Sequence, residues 1–251
     1  MAARYSILTY NIGGYEILRE VKCPSPNAEY VYVTDDKTIT SSTWNVVYVE
    51  NEFPQDPFLL CYQIRFNPFN YVHTDIVLRI DGSMEINGDT DWLIDEFVKG
   101  GYDIALTPHP CRETCFEEYM AWVKTRGMSM EEANAGLKAV SDMGWNVNTD
   151  KGLYAFGFMI QRNNEVNNFI NSETFNILRS CAVGDKLIHR CDQVIGSVVI
   201  NLVECKPMML RQATVFNKMI RMYKHGTKSP QTVSWNVYSP HFKKKSYPWA
   251  F

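Results

Sequence analysis

Apolar positions along the chain fall into short runs that stop on polar or glycine-containing turns, and the spacing switches between strand-like and helix-like from one run to the next. "RYSILTY" reads as a strand over Tyr5–Thr9, followed by a loop holding Gly13 and Gly14. "AEYVYVTDD" (28–36), rich in Val and Tyr, predicts a second strand closed by two aspartates, and "TWNVVYVE" (43–50) a third. "PFLLCYQIRF" predicts a helix broken before Pro68, because a residue preceding proline is steered out of the helical region. "DIVLRIDGS" (75–83) carries Val77, Leu78 and Ile80 into a core and then stops on Asp81-Gly82-Ser83, as a buried strand meeting a turn does.

The second half continues the alternation. "DTDWLIDEFVKGG" (89–101) opens on acidic residues, places apolar side chains at 92, 93, 94, 97 and 98, and ends on glycine, which predicts a helix. "DIALTPHP" predicts a strand running into a polar loop. Residues 114–143 predict two helices separated near Gly127, the second opened by a capping box from Ser129 to Glu132. "GLYAFGFMIQRNN" (152–164) predicts a strand and "NEVNNFINSETFNILRSC" a helix, while "DQVIGSVVINLV" fits a buried helix or a buried strand. Strands alternating with helices predict an α/β sandwich. Without an internal repeat or a linker, the chain reads as one domain (1–205) with a carboxyl-terminal extension (206–251).

Composition adds boundaries to that picture. A chain of 251 residues, 45% hydrophobic and 21% charged, has the make-up of a globular protein with a substantial core. The apolar stretch at 194–203 is too short to span a bilayer, and "MAARYSILTYNIGG" breaks too early for a signal peptide, so a soluble, cytoplasmic protein is expected. Seven cysteines at irregular spacing argue for reduced thiols over a disulfide framework. Charge is unevenly divided. Residues 206–251 hold nine Lys or Arg and no acid, whereas residues 1–205 hold 16 basic against 28 acidic groups. Such a segment suits an anionic partner (a sugar-nucleotide diphosphate, nucleic acid or an acidic membrane surface) or the acidic body of the chain itself.

Candidate chemistry gathers at strand ends. Asn11, Asp35 with Asp36, Asp81 and His109 all lie at the predicted carboxyl ends of strands or in the loops after them. In a parallel α/β sheet these ends converge on the edge that binds ligands.

Taken in order, "NIGGYEIL", "YVYVTDD", "WNVVYVE", "LRIDGSMEI", "HPCRETCFEE", "GLYAFGFMIQRNN" and "RCDQVIGSVV" resemble the glycosyltransferase-like domain of plant mucilage-related hexosyltransferases and their bacterial and viral relatives, over roughly residues 5–203. The resemblance implies a GT-A-like, Rossmann-type sandwich with a mixed, mostly parallel sheet flanked by helices. It also implies a glycosyltransferase that moves a hexosyl or pentosyl group from a nucleotide-sugar donor to an acceptor.

The same resemblance assigns residues. Asp81-Gly82-Ser83 stands where such enzymes carry a DxD motif that holds Mn²⁺ or Mg²⁺ against the donor diphosphate, with Ser83 in place of the second aspartate and Glu85 and His225 as further ligands. Asp35 and Asp36 would position the nucleoside, the competing reading being an Asx turn before Lys37. Tyr10, Asn11 and Gly13 belong to the donor site, where glycine permits close approach of the backbone to a nucleotide. Arg65, Arg112 and Lys228 would steady the diphosphate, with Gly82 and Gln193 completing the donor contacts. His109 would face the sugar, backed by Glu118, although Glu117 and Glu118 also suit the start of a helix. Asp192 would meet the reacting sugar or act as general base, or else cap a helix. "KHGTKSP" (224–230) resembles a shortened His-Gly-Lys signature of glycogenin-like transferases. The glutamate that the family tends to place near Ala155 or Phe156 is missing. Two further readings stand beside this one: transfer to modified nucleic-acid bases, motivated by the basic segment, and a non-catalytic nucleotide-sugar-binding module.

Overall fold

A computed structural model describes residues 3–53, 56–183, 186–188, 192–211, 215 and 218–227. The chain begins with three strands, β1 (Tyr5–Asn11), β2 (Ala28–Thr34) and β3 (Asn45–Tyr48), and then forms helix α1 (Pro57–Phe66). Proline at the first turn of α1 costs nothing, because its missing N–H would have no partner there. Asn67 and Pro68 end the helix, and a single 3₁₀ turn (Pro68–Asn70) leads into β4 (Ile76–Ile80). A tight turn connects β4 to β5 (Met84–Ile86), followed by α2 (Asp91–Lys99) and β6 (Ile104–Pro108).

Helices α3 (Cys115–Arg126) and α4 (Met130–Asp142) both open with complete capping boxes, Thr114 with Glu117 and Ser129 with Glu132. Gly127 separates them in the left-handed conformation (φ 72°) that ends helices at little cost for glycine. Strand β7 (Tyr154–Arg162) and helix α5 (Glu165–Ser180) follow, then a small hairpin of β8 (Ala182–Val183) and β9 (Lys186–Leu187). The ambiguous apolar segment is a helix, α6 (Asp192–Leu202). Beyond it come β10 (Pro207–Met209) and β11 (Ile220–Met222).

Seven strands form one sheet in the order β10-β6-β7-β4-β1-β2-β3. All neighbouring pairs are parallel except those of β7, which runs antiparallel to both β4 and β6. This is the α/β class expected, with a mostly parallel mixed sheet flanked by helices. The run β3-β2-β1-β4 is the strand order of a Rossmann-like half. The chain leaves β1 for β2 on one side and returns to β4 on the other, so the topological switch point lies between β1 and β4.

Alternation within the strands fills both faces of the sheet. Tyr5, Ile7, Leu78, Ile80 and Ile160 pack with Leu93, Ile94 and Phe97 of α2 on one face. On the other face Leu8, Val31 and Val77 pack against Leu60 and Ile64 of α1, while Leu106, Phe156 and Met159 pack among α3, α4, α5 and α6. Covering both faces is what parallel strands require, and it explains why β4 reads as an unbroken apolar run apart from Arg79.

The described residues after 205 add two strands to the body. β10 pairs in parallel with β6 at the sheet edge, and β11 pairs antiparallel with β5. No helix among the described residues is long and apolar enough to cross a membrane. Six cysteines of the described chain are free thiols.

Candidate functional site

At the switch point one guanidinium gathers three partners. Arg65, in the last turn of α1, donates through Nε to the Tyr10 hydroxyl (2.6 Å), through Nη2 to Asp81 Oδ1 (2.8 Å) and through Nη1 to Asp192 Oδ2. Tyr10 comes from β1, Asp81 follows β4, and Asp192 opens α6, so the fork of one arginine joins three separate elements. Arg65 is itself fixed from below: Arg79, 2% exposed within β4, donates through Nη1 to the Arg65 carbonyl (2.9 Å). A cation at the end of α1 also complements the helix dipole.

Electrostatics follow from this packing. Burial by itself would lower the pKa of Arg65, but Tyr10, Asp192 and Asp81 outweigh it and hold the group above its ordinary value. Burial raises the Tyr10 phenol, which therefore remains a neutral acceptor and donor. Arg79 is pushed down to about 10 by burial and by the neighbouring charge of Arg65. Burial raises the Cys61 thiol to about 12, and that thiol feels the charges of Arg65, Asp35, Asp192 and Asp81 together. Because β1 pairs in parallel with both β2 and β4, Asp35 after β2 and Asp81 after β4 lie at the same edge of the sheet.

A second cluster stands beyond β4, at the carboxyl end of β6. Glu118, 1% exposed on α3, accepts from Arg112 Nε through Oε2 and from Gln193 Nε2 through Oε1 (3.0 Å). His109 Nδ1 accepts the backbone N–H groups of Arg112 (3.0 Å) and Cys111 (3.3 Å), and Arg112 Nη2 stands 3.1 Å from Nε2. That nitrogen lies 3.6 Å from Glu118 Oε2. Burial and the adjacent Arg112 charge lower His109 to about 3, so the ring is neutral at physiological pH. Burial raises Glu118, opposed by its hydrogen bond from Arg112. Glu117 takes the helix-opening role that the sequence allowed for both glutamates, and Glu118 takes the other.

Between the two clusters lies a cavity of about 390 Å³, lined among others by Asp81, Thr107, His109, Arg112, Glu118 and Gln193. Its volume is within the range of small-ligand sites. An irregularity in the sheet sits beside it: Ala105 pairs with Ile160, but Thr107 pairs with Ala155, so β7 bulges against β6. Bulges commonly occur next to binding sites. Gly157, within that bulge, accepts the Asp81 backbone N–H (2.9 Å), and a Cβ added there would come within 2.9 Å of Asp81 Oδ2.

The first loop is organised by its own polar groups. Asn11 closes it in both directions, donating to the Glu16 carbonyl (2.6 Å) and accepting the Glu16 N–H (2.8 Å). The Gly13 N–H meets Asp35 (3.0 Å), which also accepts from Asn51. Asp36 instead accepts from the Thr38 N–H and hydroxyl, which is the Asx turn held open by the sequence.

The four residues expected to bind Mn²⁺ or Mg²⁺ do not converge. Asp81 is held by Arg65; Glu85, on β5, accepts from Tyr223 (2.8 Å) and Lys22 (3.2 Å); His225 pairs with Glu16, which also accepts the Gly226 N–H; Ser83 is buried beneath Tyr223, whose N–H its carbonyl accepts. Among the described residues no three His, Cys, Asp or Glu side chains are placed to share a metal ion. As arranged, these residues do not fit one. Gly82 packs tightly, its added Cβ meeting the Tyr10 carbonyl at 3.0 Å. Lys228 lies outside the described residues.

The sequence did not single out Arg79, Glu16, Thr107 or Gly157. Arg79 interrupts an apolar run, and a charge inside a buried strand was the available signal. The other three depend on long-range neighbours. Compared with protein families and with curated protein sequences, the chain matches none at a significant level.

Proposed function

We propose that the chain is a GT-A-type glycosyltransferase that takes a nucleotide-sugar donor. The observation that carries this reading is the Arg65 hub of Tyr10, Asp81 and Asp192 at the switch point, opening onto a cavity with a second polar cluster at its far side. Open α/β sheets bind ligands in that crevice. The donor would lie across the strand ends, with its nucleoside over Gly13 and Asp35, its diphosphate near Asp81, and its sugar in the cavity beside His109, Arg112, Glu118 and Gln193.

In the transfer, the acceptor oxygen forms a bond to the anomeric carbon. The bond from that carbon to the diphosphate breaks, and the acceptor proton passes to a carboxylate or to solvent. Asp81 lines the cavity and keeps Oδ2 without a hydrogen bond among the described residues, which supports it as the acid that would meet the sugar. Asp192 acts through Arg65, whose fork it orients. Arg65 with Asp81 and Asp192 carries a net charge of about −1, so a docking diphosphate needs further cations. Arg112 and, in the basic segment, Lys228 are those the sequence offers. No step is assigned to a metal.

Incubation with a panel of nucleotide sugars, with and without Mn²⁺, tests the reading through release of nucleoside diphosphate. Slow donor hydrolysis without an acceptor is expected and would be abolished in Asp81→Asn. A second reading, a binding module without turnover, is favoured by the pairing of both carboxylates with Arg65 and by the locked His109 ring. Tight donor binding with no release of diphosphate would establish it instead. A nucleic-acid acceptor would reveal itself through affinity that falls steeply with salt.

A further inference from the structure

Arg79 places a charge where a charge is least favourable. It lies within β4, between β1 and β7, across from Leu8 and Met159, and is 2% exposed. Its Nη1 donates to the Arg65 carbonyl (2.9 Å), its Nη2 reaches the Met159 sulfur (3.6 Å), and its Nε has no hydrogen-bond partner. Among the described residues the neighbouring carboxylates, Asp81 and Asp192, form their ion pairs with Arg65 and none with Arg79. Burying a cation without a bonded acid strongly opposes folding. Holding the Arg65 carbonyl does not call for it, because a neutral donor would make that bond without the charge. Burial and then Arg65 push the group down to about 10, opposed by Asp81 and Asp192, so it stays charged at physiological pH.

That charge changes the balance at the crevice. Arg65 with Asp81 and Asp192 amounts to about −1, and Arg79 beneath them makes two cations against two carboxylates, a sum of about zero. A divalent ion would supply the same kind of correction. The residues expected to hold one are drawn apart instead, Asp81 to Arg65, Glu85 to Tyr223 and Lys22, and His225 to Glu16.

We propose that the crevice takes its nucleoside diphosphate without a divalent ion, with Arg79 as the positioning residue that holds the Arg65 end of α1 and brings, from within β4, the positive charge an ion would bring. The inference rests on the donor-site reading given above and deepens it. Arg79 does not touch the ligand. It acts through Arg65, whose carbonyl it fixes, and through a field that a dry interior screens far less than water does.

The experiment is calorimetric titration of wild type, Arg79→Lys and Arg79→Gln with UDP, GDP, uridine and guanosine, in EDTA and again in Mn²⁺. It is run at about pH 6, where a buried lysine beside two carboxylates keeps its proton. Wild type should bind UDP or GDP in EDTA and gain less than about 3-fold from Mn²⁺. Arg79→Gln should weaken that diphosphate about 10-fold and Arg79→Lys less than about 3-fold, with the matching nucleoside unchanged in both. Urea midpoints should run the other way, Arg79→Gln being at least as stable as Arg79→Lys, because it buries no charge. A merely structural Arg79 would make affinity follow stability. Diphosphate binding seen only with Mn²⁺ overturns the inference, as does equal diphosphate affinity in the two variants, and either result leaves the donor-site reading standing. If neither variant folds, the wild-type comparison of EDTA with Mn²⁺ still decides. Failure of wild type to bind UDP or GDP in both conditions refutes the donor-site reading itself and takes the inference with it.

Discussion

Arg65 and Asp192, separated by 127 positions in sequence, are joined by a hydrogen-bonded ion pair that fastens the last turn of α1 to the first turn of α6. With Tyr10 and Asp81 on the other arms of the same guanidinium, the pair helps fix where Asp81 points. Asp192 is 8% exposed, so removing its partner would strand a nearly buried charge. Arg65→Met is expected to lower unfolding free energy by about 3–5 kcal/mol, as breaking a buried pair does. Adding Asp192→Asn should recover part of that loss. Urea denaturation of the single and double variants checks both values. A loss below about 1 kcal/mol would mean the pair behaves as an exposed one.

Gly157→Ala should injure the site more than the fold. The added Cβ meets Met84 Cε, the flexible end of a side chain, and Oδ2 of Asp81, a residue that lines the cavity. Overpacking of this kind costs about 1–3 kcal/mol, whereas ligand binding should fall as far as in Asp81→Ala. Parallel melting curves and titrations distinguish the two effects, and unchanged binding in Gly157→Ala would show that Asp81 does not face the ligand.

Acid should weaken the fold through His109. The ring has a pKa near 6.5 when unfolded but about 3 when folded, because of burial and then Arg112. Below pH 6.5 the unfolded chain therefore takes up a proton that the folded chain refuses. The contribution of His109 is complete above pH 6.5 and is lost progressively as pH falls toward 3. Glu118, raised by burial, works in the opposite sense, since protonation relieves its burial. His109→Gln should accordingly show a shallower fall in stability from pH 6.5 downward. Urea midpoints at stepped pH measure it, and identical slopes in the two proteins would contradict the assigned protonation state.

Much of the architecture was legible because local signals and tertiary packing agree. The capping box at Ser129 and Glu132, the glycine stop at 127 and the run ending at Asp81 each have a local cause, and each appears where expected. The β5, β10 and β11 strands were not foreseen. They have three residues each, and their pairing partners lie far away in sequence, as with Arg221 opposite Glu85. For α6, an apolar run of that length fits either helix or strand, and only contact with α5 and β7 settles it.

The site was legible in part. Spacing placed Asp35, Asp81 and His109 at strand ends, and they are there. What spacing could not give is pairing. Glu85 is taken up by Lys22 and Tyr223, His225 by Glu16, and Asp36 folds back on Thr38. Partners drawn from distant segments decided each of these.

Thr114→Ala separates stability from site geometry on α3. The Thr114 hydroxyl accepts the Glu117 N–H, and Glu117 returns the bond to the Thr114 N–H. Losing the cap should cost about 0.5–2 kcal/mol. Glu118 is held separately by Arg112 and Gln193, so ligand affinity should stay at the wild-type value. A matching loss of affinity, measured by titration, would show that the cap and the Glu118 cluster act as one unit.

The central claim is that the crevice at Asp81 and Arg65 receives a nucleotide sugar. Its most direct test is a thermal-shift titration of wild type and Asp81→Asn with UDP-glucose, UDP-galactose and GDP-mannose. A ligand that binds only the folded state raises Tm with concentration. At least one of these should raise the wild-type Tm, and the rise should be largely lost in Asp81→Asn. An equal rise in both proteins, or no rise with any of the three, would contradict the claim.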